Sequence, residues 1–305
     1  MPVSARPGLL LSIDFEDWHQ LVHRRLGLVD WDRTYAALER QTAVVLDLLD
    51  ELDARATFFL LGMSVANHRD LVQEIVRRGH EPACHGDTHI RVYEQTRDEF
   101  RADLERSVAT IHDATGRLPV AYRAPAFSIN RQTPWAYEVL AEAGFRYDSS
   151  QYDSPRIRER IGGIPESPYR LELAGGGELW ELPVAVWGSV PVGGGAYWRV
   201  LPPRLLERAL GGVRRQTAYP VLYFHPYEFD PEPLKAALPP SPSARQRFSS
   251  TTRSLWRNMG RQIVARRLRE VARRYKLLSY EQAYDDIDRL YGTRTRALSE
   301  EGVLV

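Results

Sequence analysis

The stretch Leu9-Leu10-Leu11-Ser12-Ile13-Asp14-Phe15-Glu16-Asp17 decides how this 305-residue chain is read. Its apolar run is the length of a strand and too apolar for a surface loop, as expected of a strand covered by helices. Three carboxylates then crowd its end. They repel one another unless a cation or an arginine neutralises them. If the strand stays extended through Glu16, Asp14 and Glu16 point to one face and Asp17 to the other.

Outward from that strand, short apolar runs alternate with segments of helical period. The pattern predicts further strands near Ala56–Leu61, Glu81–His85, Val120–Arg123, Tyr147–Ser149, Glu178–Val184, Val221–His225 and Lys276–Ser279. Leu38, Val45, Leu49 and Leu52 share one face of a helix over about Thr34–Asp53. Leu71, Ile75 and Val76 do the same before Gly79 stops theirs. Further helices are expected at Arg97–Thr115, Pro134–Ala143, Pro203–Thr217 and Gln262–Arg274. Strands alternating with helices in this number point to an α/β protein with its parallel strands closed into a barrel. Pro155–Gly177, Gly193–Gly195 and Pro231–Pro242 break the rhythm and read as long loops. The expected organisation is a barrel over residues 1–238. A basic helical extension over 239–305 then packs on the barrel and supplies a last strand.

Composition excludes disorder and fibrous architecture, with 43% apolar and 27% charged residues. The longest strongly apolar stretch, Thr57–Ala66, is about half of the roughly 20 residues that a membrane helix needs, so no transmembrane segment is expected. No secretion leader is visible either, and the expected location is the cytoplasm. The single cysteine, Cys84, excludes an intrachain disulfide and a multi-cysteine zinc site. Any metal must be held by His, Asp or Glu. Although 41 basic residues nearly balance 40 acidic ones, Arg245–Lys276 holds 11 basic residues and one acidic, a +10 segment on a −9 remainder. No stacking platform or base-reading motif accompanies it, so a nucleic-acid partner is not expected. Peripheral contact with an anionic glycan or membrane is the alternative use of that charge.

His85-Gly86-Asp87-Thr88-His89 places two imidazoles four residues apart at the end of the third strand. With an acidic strand end they make a two-histidine, one-carboxylate site with open positions. Arg123 before Pro125, Asp148 and His225 stand at the ends of three further strands, the usual address of catalytic groups in parallel barrels.

In that order these motifs resemble the polysaccharide deacetylases of the NodB-homology group, carbohydrate esterase family 4, from about Leu9 to Tyr280. The resemblance implies a distorted (β/α) barrel and a general-base Asp in Ser12-Ile13-Asp14-Phe15-Glu16-Asp17, for which Asp14 aligns best. It implies metal ligation by His85, His89 and either Glu16 or Asp17. It also implies that Arg123 orients the base, that Asp148 tunes the acid His225, that Leu222 walls the acetyl methyl and that the Ala126 N–H helps hold the oxyanion. The chain departs from the pattern in three places. A spread Asp-Phe-Glu-Asp replaces adjacent aspartates, Gly86 replaces Ser or Thr, and Ala126 stands where an aromatic is common. Ile13–Trp18, Gly144–Ser150 and Gly193–Arg199 look like the branch found with exosortase-linked exopolysaccharide loci.

The implied activity is metal-dependent removal of N-acetyl groups from N-acetylhexosamine units of a bacterial polysaccharide or its precursor, with Zn²⁺, or Co²⁺, as the cofactor. Trp187, Tyr197 and Trp198 are candidate sugar-stacking faces. The competing readings are hydrolysis of a small cyclic amide on the same fold, as in an allantoinase, and a non-catalytic glycan-binding protein.

Overall fold

The computed structural model describes residues 6–19, 22, 37–153, 159, 161–173, 175–235, 238, 241–299 and 304. The strands are β1 (Gly8–Phe15), β2 (Thr57–Leu60), β3 (Glu81–Cys84), β4 (Ala121–Tyr122), β5 (Tyr147–Asp148), β6 (Tyr169–Glu172), β7 (Glu178–Glu181), β8 (Val221–Phe224), β9 (Lys276–Leu278) and β10 (Thr295–Ala297). They form one sheet in the order β10-β6-β7-β5-β4-β3-β2-β1-β8, with β9 also paired to β1. All pairings are parallel except β6 with β7. The chain after β7 reaches β8 through single bridges, Val184 to Val221 and Gly194 to Tyr223, so the barrel is distorted rather than closed by a continuous ladder.

Each sequence-predicted strand is present, and two more join them. β6 lies inside the stretch read as the Pro155–Gly177 loop. Its residues alternate buried and more exposed along Tyr169–Glu172, a period of two that its Gly- and Pro-rich flanks obscure. The helices that position the site are α1 (Ala37–Glu51), α2 (Gly62–Asn67), α3 (Arg69–Arg77), α4 (Arg97–Thr115), α5 (Trp135–Glu142), α6 (Gly195–Val200), α7 (Pro203–Gln216), α8 (Ala244–Asn258), α9 (Val264–Ala272) and α10 (Tyr284–Tyr291). α4 shows why such boundaries are readable. Thr96 and Glu99 cap its start reciprocally, and Gly116 ends it at φ 69°. The apolar stretch Thr57–Ala66 divides between β2 and α2.

The C-terminal segment joins the sheet on its first strand. Lys276–Leu278 pairs with Gly8–Leu10, while Thr57–Leu60 takes the other half of β1, Ser12–Phe15. Among the described residues no helix is long and apolar enough to cross a membrane.

Strand parity sorts the core into two layers. Leu9, Leu11, Ile13, Phe58, Leu60, Cys84, Tyr122, Leu222 and Phe224 pack outward against Val45, Leu49, Ile75, Leu104, Leu210 and Leu268 of the helices. Leu10, Phe59, Ala83, Ala121, Leu182, Val184 and Val221 pack inward with Tyr280. Burying one such side chain contributes about 1.5–3 kcal/mol. A one-residue slip would turn every inward residue out, so the register is strongly specified.

Candidate active site

The registers Asp14 to Phe59, Phe59 to Ala83 and Ser12 to Tyr223 put these residues on the inner face, since parallel partners share a face. Counting on by two along each strand brings Glu16, His85, Arg123, Ser149 and His225 to the same end of the barrel interior.

Arg123 is fully buried and organises the floor. Its Nη1 donates to Asp14 Oδ1 at 2.6 Å and to Ser12 Oγ at 2.9 Å. Nε donates to the Ser149 carbonyl at 3.0 Å, and Nη2 donates to Ser149 Oγ and to the Tyr280 hydroxyl. The guanidinium carbon lies 4.1 Å from the Phe59 ring centre. Burying this charge is costly, and the Asp14 carboxylate, the hydrogen bonds and the ring face offset that cost. Burial opposes the charge, but Asp14, Tyr280 and Tyr223 together outweigh it and the Arg123 pKa rises.

Above this floor, Glu16, His85 and His89 offer ligand atoms that all lie within 4.8 Å of one another. Glu16 Oε2 is 2.7 Å from His89 Nε2 and 3.8 Å from His85 Nε2. This oxygen is buried and faces both imidazoles. His85 Nδ1 is 2.8 Å from the Arg123 carbonyl, which can only accept, so Nδ1 carries the proton and Nε2 presents a lone pair. Two imidazoles and a carboxylate that faces them fit a divalent cation. Burial raises the Glu16 pKa, but the charge of His89 and bonds from His225, His85 and His89 outweigh it and hold the carboxyl well below its usual range. Asp17 faces elsewhere, its Oδ1 accepting from the His19 N–H at 2.7 Å and lying 3.1 Å from the His19 ring.

The turn between the histidines has a backbone reason for its composition. Gly86 sits at φ 80°, and a Cβ there would meet Asp103 Oδ2 at 2.9 Å. His89 also has positive φ, a strain that the fold imposes on this ring. Ala126 shares that conformation at φ 55° and is exposed. Cys84 is buried in the outer layer, and burial pushes its thiol up to about 12.

His225 faces Glu16 Oε1 with Nε2 at 2.9 Å and Glu228 Oε2 with Nδ1 at 3.3 Å. Burial disfavours its charge, but Tyr227, Glu16 and Glu228 together hold the imidazole well above its ordinary pKa. Glu228 also accepts the His225 N–H, and Arg199 Nε lies 3.6 Å from its other oxygen. A Cβ at Gly195 would collide with the Glu228 carboxylate, which explains the last glycine of Gly193-Gly194-Gly195. Tyr227 stacks on the His225 ring at 5.1 Å.

Four sequence expectations fall elsewhere. Asp148 has outward parity. It accepts from Ser150 Oγ at 2.6 Å and stands opposite Glu181 across β5 and β7, so the carboxylate on His225 Nδ1 is Glu228. Leu222 is fully buried in the outer layer with Leu9 and Leu11, and its neighbour Tyr223 turns inward, 5.9 Å from the His225 ring. Asp17 lies outside the histidine cluster. Trp198 is fully buried, its Nε1 donating to the Val192 carbonyl. Glu228, Ser12, Ser149 and Tyr280 are the site residues that sequence reasoning passed over. Only Glu228 carried a local signal, an acid three residues after a histidine at a strand end.

The family model described as polysaccharide deacetylase matches residues 27–147, with His85, His89 and Arg123 inside the match. The chain carries a polysaccharide deacetylase domain. A second model, described as a domain of unknown function (DUF3473), matches residues 149–285, which include His225 and Glu228. The peptidoglycan-N-acetylglucosamine deacetylase PgdA of Listeria monocytogenes is 32% identical over 123 residues, 40% of this chain and 25% of that protein. The peptidoglycan deacetylase of Helicobacter pylori is 33% identical over 106 residues, 35% of each chain. The chain thus spans about a quarter to a third of the length of these curated deacetylases. A candidate polysaccharide deacetylase from Mycobacterium smegmatis superposes with a TM-score of 0.59 at 22% identity, covering 94% of this chain and 93% of that one. PuuE allantoinase superposes at 0.60 and 16% identity, covering 95% and 91%. Both share this fold.

Proposed function

We propose that the chain hydrolyses the N-acetyl group of N-acetylhexosamine units in a bacterial polysaccharide or its precursor, with zinc, or cobalt, held by Glu16, His85 and His89. The observation that carries this reading is the convergence on that cluster of an arginine-held aspartate, Asp14, and a carboxylate-held histidine, His225. A divalent ion there would polarise the acetyl carbonyl and make water acidic enough to attack at neutral pH.

The chain's own groups do the remaining work. Asp14, fixed by Arg123, takes the proton of the attacking water as general base. The Ala126 N–H is the backbone donor offered to the oxyanion. Glu228 accepts from Nδ1 of His225 and keeps the ring cationic, so Nε2 holds the proton that the departing amine requires. Glu228 thereby takes the part that the family resemblance assigns to Asp148. Tyr223 lines the floor where the resemblance places Leu222.

Mass spectrometry of acetylated chitooligosaccharides and bacterial exopolysaccharide, after incubation with zinc-loaded protein, tests the reading. Loss of one acetyl group per event is expected. Unchanged glycan beside a hydrolysed cyclic ureide would instead establish the allantoinase-like reaction.

A further inference from the structure

An ordinary surface helix turns its apolar stripe to the core and its charges to water. α8 does the opposite. Only Ser250 of its residues is buried, while Phe248 is 72% and Leu255 67% exposed, with Trp256 and Met259 exposed beside them. These positions, spaced i, i+7, i+8 and i+11, fall on one face. The opposite face is fastened to the site wall. Arg257 Nη1 donates to the Tyr227 hydroxyl at 2.6 Å, Arg199 donates to the carbonyls of Trp256 and Arg257, and the Asn258 side chain bonds both the N–H and the carbonyl of Leu234. Tyr227 is the ring stacked on His225, so the polar face of α8 is tied to the wall of the candidate active site and the exposed stripe points away from it.

The helix carries four arginines and no acid. Arg245 and Arg247 are exposed and form no ion pair among the described residues, whereas Arg269 of the neighbouring α9 is taken by Glu51. A second copy of the chain is a poor occupant, because two such helices face to face would oppose like charges. A soluble polyanion would satisfy the arginines and leave Phe248, Leu255 and Trp256 in water. An anionic bilayer satisfies both, with aromatic and aliphatic side chains at the acyl boundary and arginines among the headgroups.

We propose that α8 is an interfacial helix that seats the protein on a membrane surface rich in anionic phospholipid. The seating is independent of the deacetylase reading. If both hold, the glycan is met at a membrane.

Flotation of the full-length protein with vesicles of equal parts phosphatidylcholine and phosphatidylglycerol, against vesicles of phosphatidylcholine alone, tests the seating. Binding to the anionic vesicles only, weakened by salt, is expected. F248S/L255S should lower the partition coefficient by roughly a hundredfold, about tenfold for each side chain. R245E/R247E should abolish the preference for anionic vesicles, and circular-dichroism melts should show both variants folded. Absence of flotation, or equal flotation of wild type and F248S/L255S, would overturn the proposal. So would a concentration-dependent dimer dissolved by F248S/L255S without vesicle binding. Equally tight binding of both proteins to dextran sulfate, with no flotation, would reassign the surface to a soluble polyanion. None of these readouts uses acetyl hydrolysis, so failure here leaves the proposed reaction untouched.

Discussion

Two groups of buried carboxylates stand at strand ends of one sheet and behave oppositely. Glu16, beyond β1, faces three imidazoles and is held ionised against its burial. Asp148 and Glu181, paired across β5 and β7, share a pocket with Ser150, Tyr137 and Tyr169 and have both pKa values raised, Glu181 well above the usual range. Burial raises both groups, so burial does not mark the candidate site. The difference is parity. Glu16 follows inward positions, where the histidines converge. Asp148 and Glu181 face outward toward α5 and β6, where burial raises both and the charge of Asp148 raises Glu181 further.

The largest effect that sharpens this contrast is metal loss. Glu16→Gln should weaken zinc binding by more than about 100-fold, beyond what removal of an outer partner costs, whereas Asp17→Asn should retain the ion. Metal content after dialysis reads both variants, and the opposite pattern would move the ligand role to Asp17.

His225→Ala should lower kcat by about 10² to 10⁴ with little change in KM, because the proton is delivered only as the C–N bond breaks. A raised KM at unchanged kcat would reassign His225 to binding.

Glu228→Gln is expected to cost roughly tenfold in kcat, as an orienting partner does. It should also shift the pH profile. Glu228 helps raise the His225 pKa, so its loss lowers that pKa and brings the alkaline decline of kcat to lower pH. An unmoved alkaline limb would leave Glu228 a purely structural cap.

The smallest effect belongs to the outward pair. Asp148→Asn and Glu181→Gln should leave kcat nearly unchanged, and a collapse in either would break the contrast. Their signature is thermal. A carboxyl whose folded pKa is raised contributes stability that is fully present below its unfolded value, near 4.3 for Glu, and lost as pH rises through the folded value. The Tm of Glu181→Gln should therefore gain on wild type as pH climbs through that window, and a constant difference would show that the pair does not titrate there.

The sequence by itself determined the strands, most helix limits, the carboxylate and histidine motifs and the arginine before its proline. Each rests on information contained within a few residues, such as an apolar run, a cap or an i, i+4 spacing. It offered Asp148, Leu222 and Asp17 beside the residues that do converge, because a motif records which residue types stand at a strand end and not which face they take. Faces follow from register, and register from pairings between residues as distant as Ser12 and Tyr223. Only the tertiary structure, by setting those pairings, brought Glu228 under His225, gathered Ser12, Ser149 and Tyr280 around Arg123, and fastened α8 by its polar side so that its apolar side faces out.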